Sequence, residues 1–261
     1  MITSTSNSQV KHVINLLNKA KYRRDNSSFV VEGVRMASEA PDKDIEKIFV
    51  SESFREKNPK GFGKFTWNDS RVEMVSDNVF KQMSDTMTPQ GVLAVVKMHK
   101  YSLDDIIGRD NAFVMVCEDL QDPGNLGTII RTGEGAGISG VIMNKNTVDI
   151  YNPKTIRSTM GSLYRVPFLY TEDLENVLKQ MKLLNIKVYA AHLDGNNSYT
   201  KENYSGKCAF LIGNEGNGIK DSTRDMADTL IRIPMEGEVE SLNAAVSAAV
   251  IMYEVNRQRG L

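Results

Sequence analysis

From residue 111 onward, short, largely apolar runs alternate with stretches of helical period, and no other feature limits the possible fold as strongly. The runs at 112–117, 140–143, 166–169, 187–191, 208–212 and 229–233 read as strands, being short, apolar and rich in β-branched or aromatic residues. Segments 126–136, 153–160, 174–184, 220–227 and 243–257 read as helices. Alternation of this kind argues an α/β fold with a mostly parallel sheet covered on both faces.

The preceding hundred residues read as a smaller α/β domain. Helix 8–24 buries Val10, Val13, Ile14 and Leu17 on one face; strand 29–33, helix 34–40, strands 45–50 and 72–75, helix 76–83 and strand 92–97 follow. The polar stretch 99–110 has no strong period and carries Gly108, so the expected division is 1–98, a linker at 99–110, and 111–261. Lys19, Lys21, Arg23 and Arg24 crowd together with no acid before Asp25, which points to phosphate contact.

The chain carries a formal net charge of −1, so a nucleic-acid partner would have to meet such a local basic patch. No apolar run reaches the roughly 18 residues of a membrane span, and the start lacks the basic and hydrophobic regions of a secretory signal. A cytoplasmic protein is expected. Cys117 and Cys208 sit in apolar strands and read as core residues, while His12, His99 and His192 are scattered; neither residue type has metal-ligand spacing, and no metal is expected.

Three stretches concentrate chemistry. After strand 112–117, Asp122, Pro123 and Gly124 break the chain, and Asn125 is placed to cap the helix that follows. Leu126, Ile129 and Ile130 bury one face of that helix, leaving Arg131 near its edge, able to reach toward the strand end where open α/β sheets bind ligands. Gly135, Gly137 and Gly140 match a dinucleotide fingerprint in spacing, but they end a helix and enter a strand; a tight helix exit is expected instead. The second stretch, Gly213 to Gly218, packs glycines and Glu215 behind strand 208–212, which lets backbone approach a ligand closely. In the third, Pro234 stops strand 229–233, and Ser241 or Asn243 caps a helix whose first turns are nearly all Ala and Val.

These stretches, Asn125 to Thr132, Gly213 to Gly218 and Ile233 to Ala249, resemble in order and spacing the three motifs of the SpoU or TrmH-type RNA ribose 2′-O-methyltransferases of the SPOUT superfamily. Residues 21–35 are similar to the substrate-binding domain that precedes many such enzymes. The resemblance implies a deep trefoil knot in the C-terminal domain, S-adenosylmethionine (AdoMet) bound there, and an obligate homodimer with the last helix in its interface. It also implies an L30e-like leading domain and an RNA substrate, with rRNA slightly favoured over tRNA. By motif position, Gly213, Ile233 and Leu242 would hold the cofactor, and Asn125, Arg131, Glu215, Ser241 and Asn243 would form the catalytic cluster. The alternative is an RNA-binding protein that keeps the fold without catalysis.

Overall fold

The computed structural model describes residues 1–260 and divides into two compact units, Met1–His99 with Asp149–Tyr164, and Lys100–Val148 with Arg165–Leu261. The chain passes from the first unit to the second at His99–Lys100, and residues 149–164 of the later chain belong with the first unit.

In the first unit, α1 (Ser8–Asn18) and α2 (Ala20–Asn26) replace the single expected helix. The chain breaks at Lys19, which adopts an extended conformation at φ −126° and ψ 105°. The elements β1 (Ser28–Glu32), α3 (Val34–Glu39), β2 (Ile45–Ser51), α4 (Glu52–Lys57), β3 (Val72–Val75), α5 (Asp77–Met83) and β4 (Val92–Lys97) follow. The four strands form one sheet in the order β1-β4-β2-β3, with β4 antiparallel to both neighbours and β3 parallel to β2. Val10, Val13 and Leu16 of α1 pack against Phe49, Phe80 and Leu93 in its core.

Arg23 is a correction to the expected phosphate-binding patch. It is 3% exposed, its guanidinium donates to the Leu16 and Leu17 carbonyls, and it pairs with Asp149 at 2.6 Å. Four of its five N–H donors are thus bonded within the protein, and the buried group is not presented to RNA. Lys19, Lys21 and Arg24 are exposed.

The second unit begins with α6 (Asp104–Ile107), a turn of helix within the expected linker. Then come β5 (Phe113–Cys117), α7 (Pro123–Ala136), β6 (Gly140–Asn144), α8 (Pro153–Thr159, which packs in the first unit), β7 (Phe168–Thr171) and α9 (Leu174–Leu183). The chain finishes with β8 (Lys187–Ala191), β9 (Asn197–Ser198), β10 (Cys208–Ile212), α10 (Asp221–Arg224), β11 (Thr229–Arg232) and α11 (Ala244–Arg259). Its sheet runs β7-β6-β5-β10-β8-β11-β9, and every pairing is parallel. Every residue of β5, β6 and β10 is buried, as parallel strands covered on both faces must be. Cys117 and Cys208 are buried free thiols pushed up to about 12, chiefly by loss of solvent. They are core residues, as expected.

The glycine run after α7 is a helix exit, also as expected. Gly137 takes φ +71°, its N–H and that of Ile138 bond back to Glu134 and Gly133 carbonyls, and Ile138 lies so close that a Cβ on Gly133 would approach it to 2.3 Å. Among the described residues no helix is long and apolar enough to cross a membrane.

Candidate active site

From β5 the chain steps outward through β6 to β7, then crosses back to β8 on the other side of β10. The order therefore reverses between β5 and β10, and their carboxyl ends are level: Ile212 lies opposite Cys117, and Glu118 N–H donates to the Ile212 carbonyl at 2.9 Å. Loops leaving this edge bound the crevice in which open parallel sheets bind ligands.

The first loop is fixed by Asp122, whose carboxylate accepts from Asn125 N–H at 2.9 Å and caps α7, with Pro123 in the first turn. Asp122, not Asn125, is thus the cap, which frees the Asn125 side chain. The second loop, after β10, is closed by paired backbone bonds between Asn214 and Gly218 at 2.9 and 3.0 Å. The Asn214 amide donates to the Asp119 carbonyl at 2.9 Å, joining the two loops. The third segment, residues 233–243, has no regular secondary structure and ends at Asn243, which caps α11 through Ala245 and Val246 N–H.

Glu215 ties these segments together. Its carboxylate accepts from Gln121 N–H at 3.0 Å and from Asp122 N–H and the Asn125 amide, both at 2.9 Å. The Asn125 oxygen in turn accepts from the Asn243 amide at 2.9 Å. Burial pushes the Glu215 carboxyl up, but those donors outweigh it and hold the group below the ordinary carboxylate range. Because the pKa is lower in the folded state, the contribution is complete above the unfolded value and is lost as pH falls through the folded one. Ligand affinity at this site is therefore expected to hold steady at neutral and mildly acidic pH and to be lost only as pH falls through the lowered titration of Glu215. Glu215→Gln has one acceptor where two are used, so it should bind weakly at neutral pH and lose that acid transition; calorimetry across pH checks both.

Beside this chain lies a cleft of about 290 Å³, lined by Gly213, Ile233, Ser241 and Leu242 together with strand-end residues Ala191 and Ile231. The sequence-expected residues are thus partly united. Glu215, Asn125 and Asn243 form one hydrogen-bonded chain, and Gly213, Ile233, Leu242 and Ser241 share the cleft. Arg131 does not join them: it is exposed on α7 with Thr128 and Gly135, six positions on and about 120° around the helix from Asn125 at roughly 100° per residue. It has no hydrogen bond or ion pair among the described residues. The expected reach from Arg131 to the strand end is not made.

Sequence reasoning missed Glu118. It is 3% exposed directly after β5, and it accepts from Lys220 N–H at 2.9 Å and the Thr223 hydroxyl at 2.6 Å, anchoring the far end of the Gly213–Gly218 loop. The only signal for it was an acid immediately following a buried strand.

Glycine in the cleft floor, apolar Ile233 and Leu242 and the level strand ends fit a ligand with a flat heterocycle and a polar tail. A parallel sheet with a cleft at the carboxyl ends of β8, β10 and β11 is an α/β architecture suited to a nucleotide-like ligand. Residues 112–253 match the SpoU rRNA Methylase family and residues 7–94 the MRM3-like substrate binding domain. The chain belongs to the SpoU methylase family. It is 31% identical over 256 residues to the 23S rRNA (guanosine(2553)-2'-O)-methyltransferase RlmP of Bacillus subtilis, covering 97% of this chain and 98% of the relative. The AdoMet-bound rRNA methyltransferase of Sinorhizobium meliloti superposes with a TM-score of 0.83 at 30% identity, over 98% of this chain and 97% of the other. The AviRb methyltransferase of Streptomyces viridochromogenes, in complex with AdoMet, gives 0.83 at 26% identity over 97% and 98%.

Proposed function

We propose that this protein transfers a methyl group from AdoMet to a ribose 2′-hydroxyl of ribosomal RNA. The observation that carries this reading is the Glu215–Asn125–Asn243 chain, which ties all three motif segments together beside the cleft that Glu215 lines. Full-length similarity to a 23S rRNA 2′-O-methyltransferase supports rRNA over tRNA.

Gly213, Ile233 and Leu242 hold the cofactor, with Ser241 at the same wall. When bound, AdoMet supplies a methyl group on a positively charged sulfur. The task left to the chain is to place the ribose oxygen in line with that methyl and to stabilise the charge that grows as its proton leaves. Asn125 and Asn243 orient the ribose. Glu215 holds the Asn125 amide, so this linkage is set before RNA arrives. Arg131 binds the neighbouring phosphate and stabilises negative charge on oxygen; a guanidinium keeps its proton to very high pH and is a poor base.

The protein acts as a homodimer. Val246 and Tyr253 are 47% and 55% exposed and lie with Ala249 and Val250 on one stripe of α11, an apolar face that a second copy would cover. A Cβ on Gly135 would lie 3.4 Å from the Tyr253 hydroxyl, so the exposed face of α7 that bears Arg131 borders this stripe. In the dimer Arg131 therefore stands beside the second protomer. Lys19, Lys21 and Arg24 contact RNA phosphates. A knotted C-terminal segment and residence in the cytoplasm complete the proposal.

The test is incubation with tritiated AdoMet and separate rRNA and tRNA pools lacking the modification, followed by mapping of 2′-O-methyl positions. Label at one rRNA nucleotide is expected. Label in tRNA alone would overturn the choice of substrate, and AdoMet binding without label in either pool would favour an RNA-binding role.

A further inference from the structure

The segment between α4 and β3 has little regular structure, yet it is tightly built around the chain's single tryptophan. Phe62 and Phe65 exchange backbone hydrogen bonds at 3.0 and 2.9 Å, and Gly61 at φ +113° leaves no room for a Cβ, which would meet the Phe65 carbonyl oxygen at 2.2 Å. Arg71 pins the end of the loop to Asp69 and Asp42. The Trp67 indole N–H donates to both the Asn58 and Pro59 carbonyls at 3.0 Å, and its ring leans on Phe62 with centroids 6.0 Å apart. The indole is thereby held in one orientation and only half-buried.

It forms a wall of a hollow of about 540 Å³ whose other walls include Glu52, Arg55 and Glu56 of α4, Pro59 and Met74. Glu52, Arg55 and Glu56 are spaced i, i+3 and i+4 and share a helix face. The Arg55 guanidinium lies over the Trp67 ring, 6.0 Å from its centroid, so a base stacking there would enter between the two; no ion pair joins Arg55 to either glutamate, and neither carboxylate has a hydrogen-bond partner among the described residues. Arg55, which lines the hollow, is exposed, as are Lys57 and Lys60 nearby in the chain.

A fixed aromatic face, unpaired acceptors and flanking cations make a combination with a specific complement. Unpaired RNA bases stack on aromatic rings and are read on their hydrogen-bonding edges, while cations take the phosphates. An ionised carboxylate only accepts, and guanine alone among the four bases offers adjacent ring N–H and amino donors on its pairing edge. We propose that this hollow seats an unpaired guanine of the RNA, stacked on Trp67, with Glu52 or Glu56 accepting from its N1–H and N2 amino group. It is a specificity site remote in sequence from the methyl-transfer motifs. The inference rests on the RNA substrate proposed above.

Trp67 reports on its own occupancy, because it is the only tryptophan in the chain. The full-length protein is titrated with five-nucleotide single-stranded RNAs carrying one guanosine, inosine or adenosine among uridines, with indole fluorescence as the readout and no AdoMet present. Saturable quenching is expected with guanosine, weaker binding with inosine, which lacks the amino group, and weakest with adenosine. In Glu52→Gln plus Glu56→Gln the guanosine preference falls roughly tenfold while quenching remains. Trp67→Phe raises KM for rRNA roughly tenfold and leaves kcat and AdoMet affinity unchanged. Equal quenching by all bases, no quenching, or a Trp67→Phe effect on kcat alone overturns the proposal. Guanosine-selective quenching by a protein that methylates no RNA would instead keep this site and sink the methyltransferase reading.

Discussion

Arg131→Ala is expected to lower kcat for RNA methylation about 10²- to 10³-fold, the usual loss when a preorganised charge-stabilising donor is removed. AdoMet affinity and the melting temperature should be unchanged, because the side chain is exposed and engages no partner among the described residues. That separation decides between roles. A structural arginine would take stability with it, as Arg23 would, whose guanidinium is buried and bonded through four of its five N–H groups. Arg131→Lys keeps the charge but loses the planar fork that grips a phosphate with two bonds, so an intermediate rate is expected. Near-normal turnover by the lysine variant, measured in single-turnover assays with saturating RNA, would sink two-bond phosphate binding as the function of this residue.

The contrast between Arg131 and Arg23 also marks where sequence reasoning stops. Strands β5, β8 and β10 were legible almost to the residue, because a buried parallel strand must be a short apolar run and helical period resumes after it. The break between α1 and α2 was not: both halves share one charge and apolar pattern, and the extended backbone at Lys19 leaves no mark in it. Arg23 looked like its exposed neighbours because its partner, Asp149, is 126 positions away and belongs to a stretch that joins the first unit out of chain order. The site was legible in membership more than in wiring. Motif resemblance named Asn125, Glu215 and Asn243, but that Glu215 binds two backbone N–H groups of the first loop depends on the level ends of β5 and β10, a property of register. Arg131 was misplaced by assuming a long side chain could bridge a separation of about 120° around its own helix.

Gly213→Ala should weaken AdoMet binding about 10- to 100-fold while the protein still folds. A Cβ at this position would lie 2.2 and 2.3 Å from the carbonyl carbon and oxygen of Gly218 and 2.4 Å from Ile219 N. All three are backbone atoms, and none can turn aside as a side chain would. The paired Asn214–Gly218 bonds and the Glu118 contacts to Lys220 and Thr223 hold the opposite side of the loop in place, so strain is relieved only by opening the cleft wall. Overpacking of this kind costs about 1–3 kcal/mol. Each 1.4 kcal/mol taken from the bound state is about tenfold in affinity. Gly216 supplies the control from the same loop: a Cβ there would meet only the Asn214 side-chain oxygen at 3.6 Å, so Gly216→Ala should bind AdoMet almost normally. Calorimetric titration of both variants, with melting curves to verify folding, makes the comparison. If Gly213→Ala is folded and binds AdoMet as tightly as Gly216→Ala, the cofactor lies elsewhere and the assignment of Gly213, Ile233 and Leu242 falls with it.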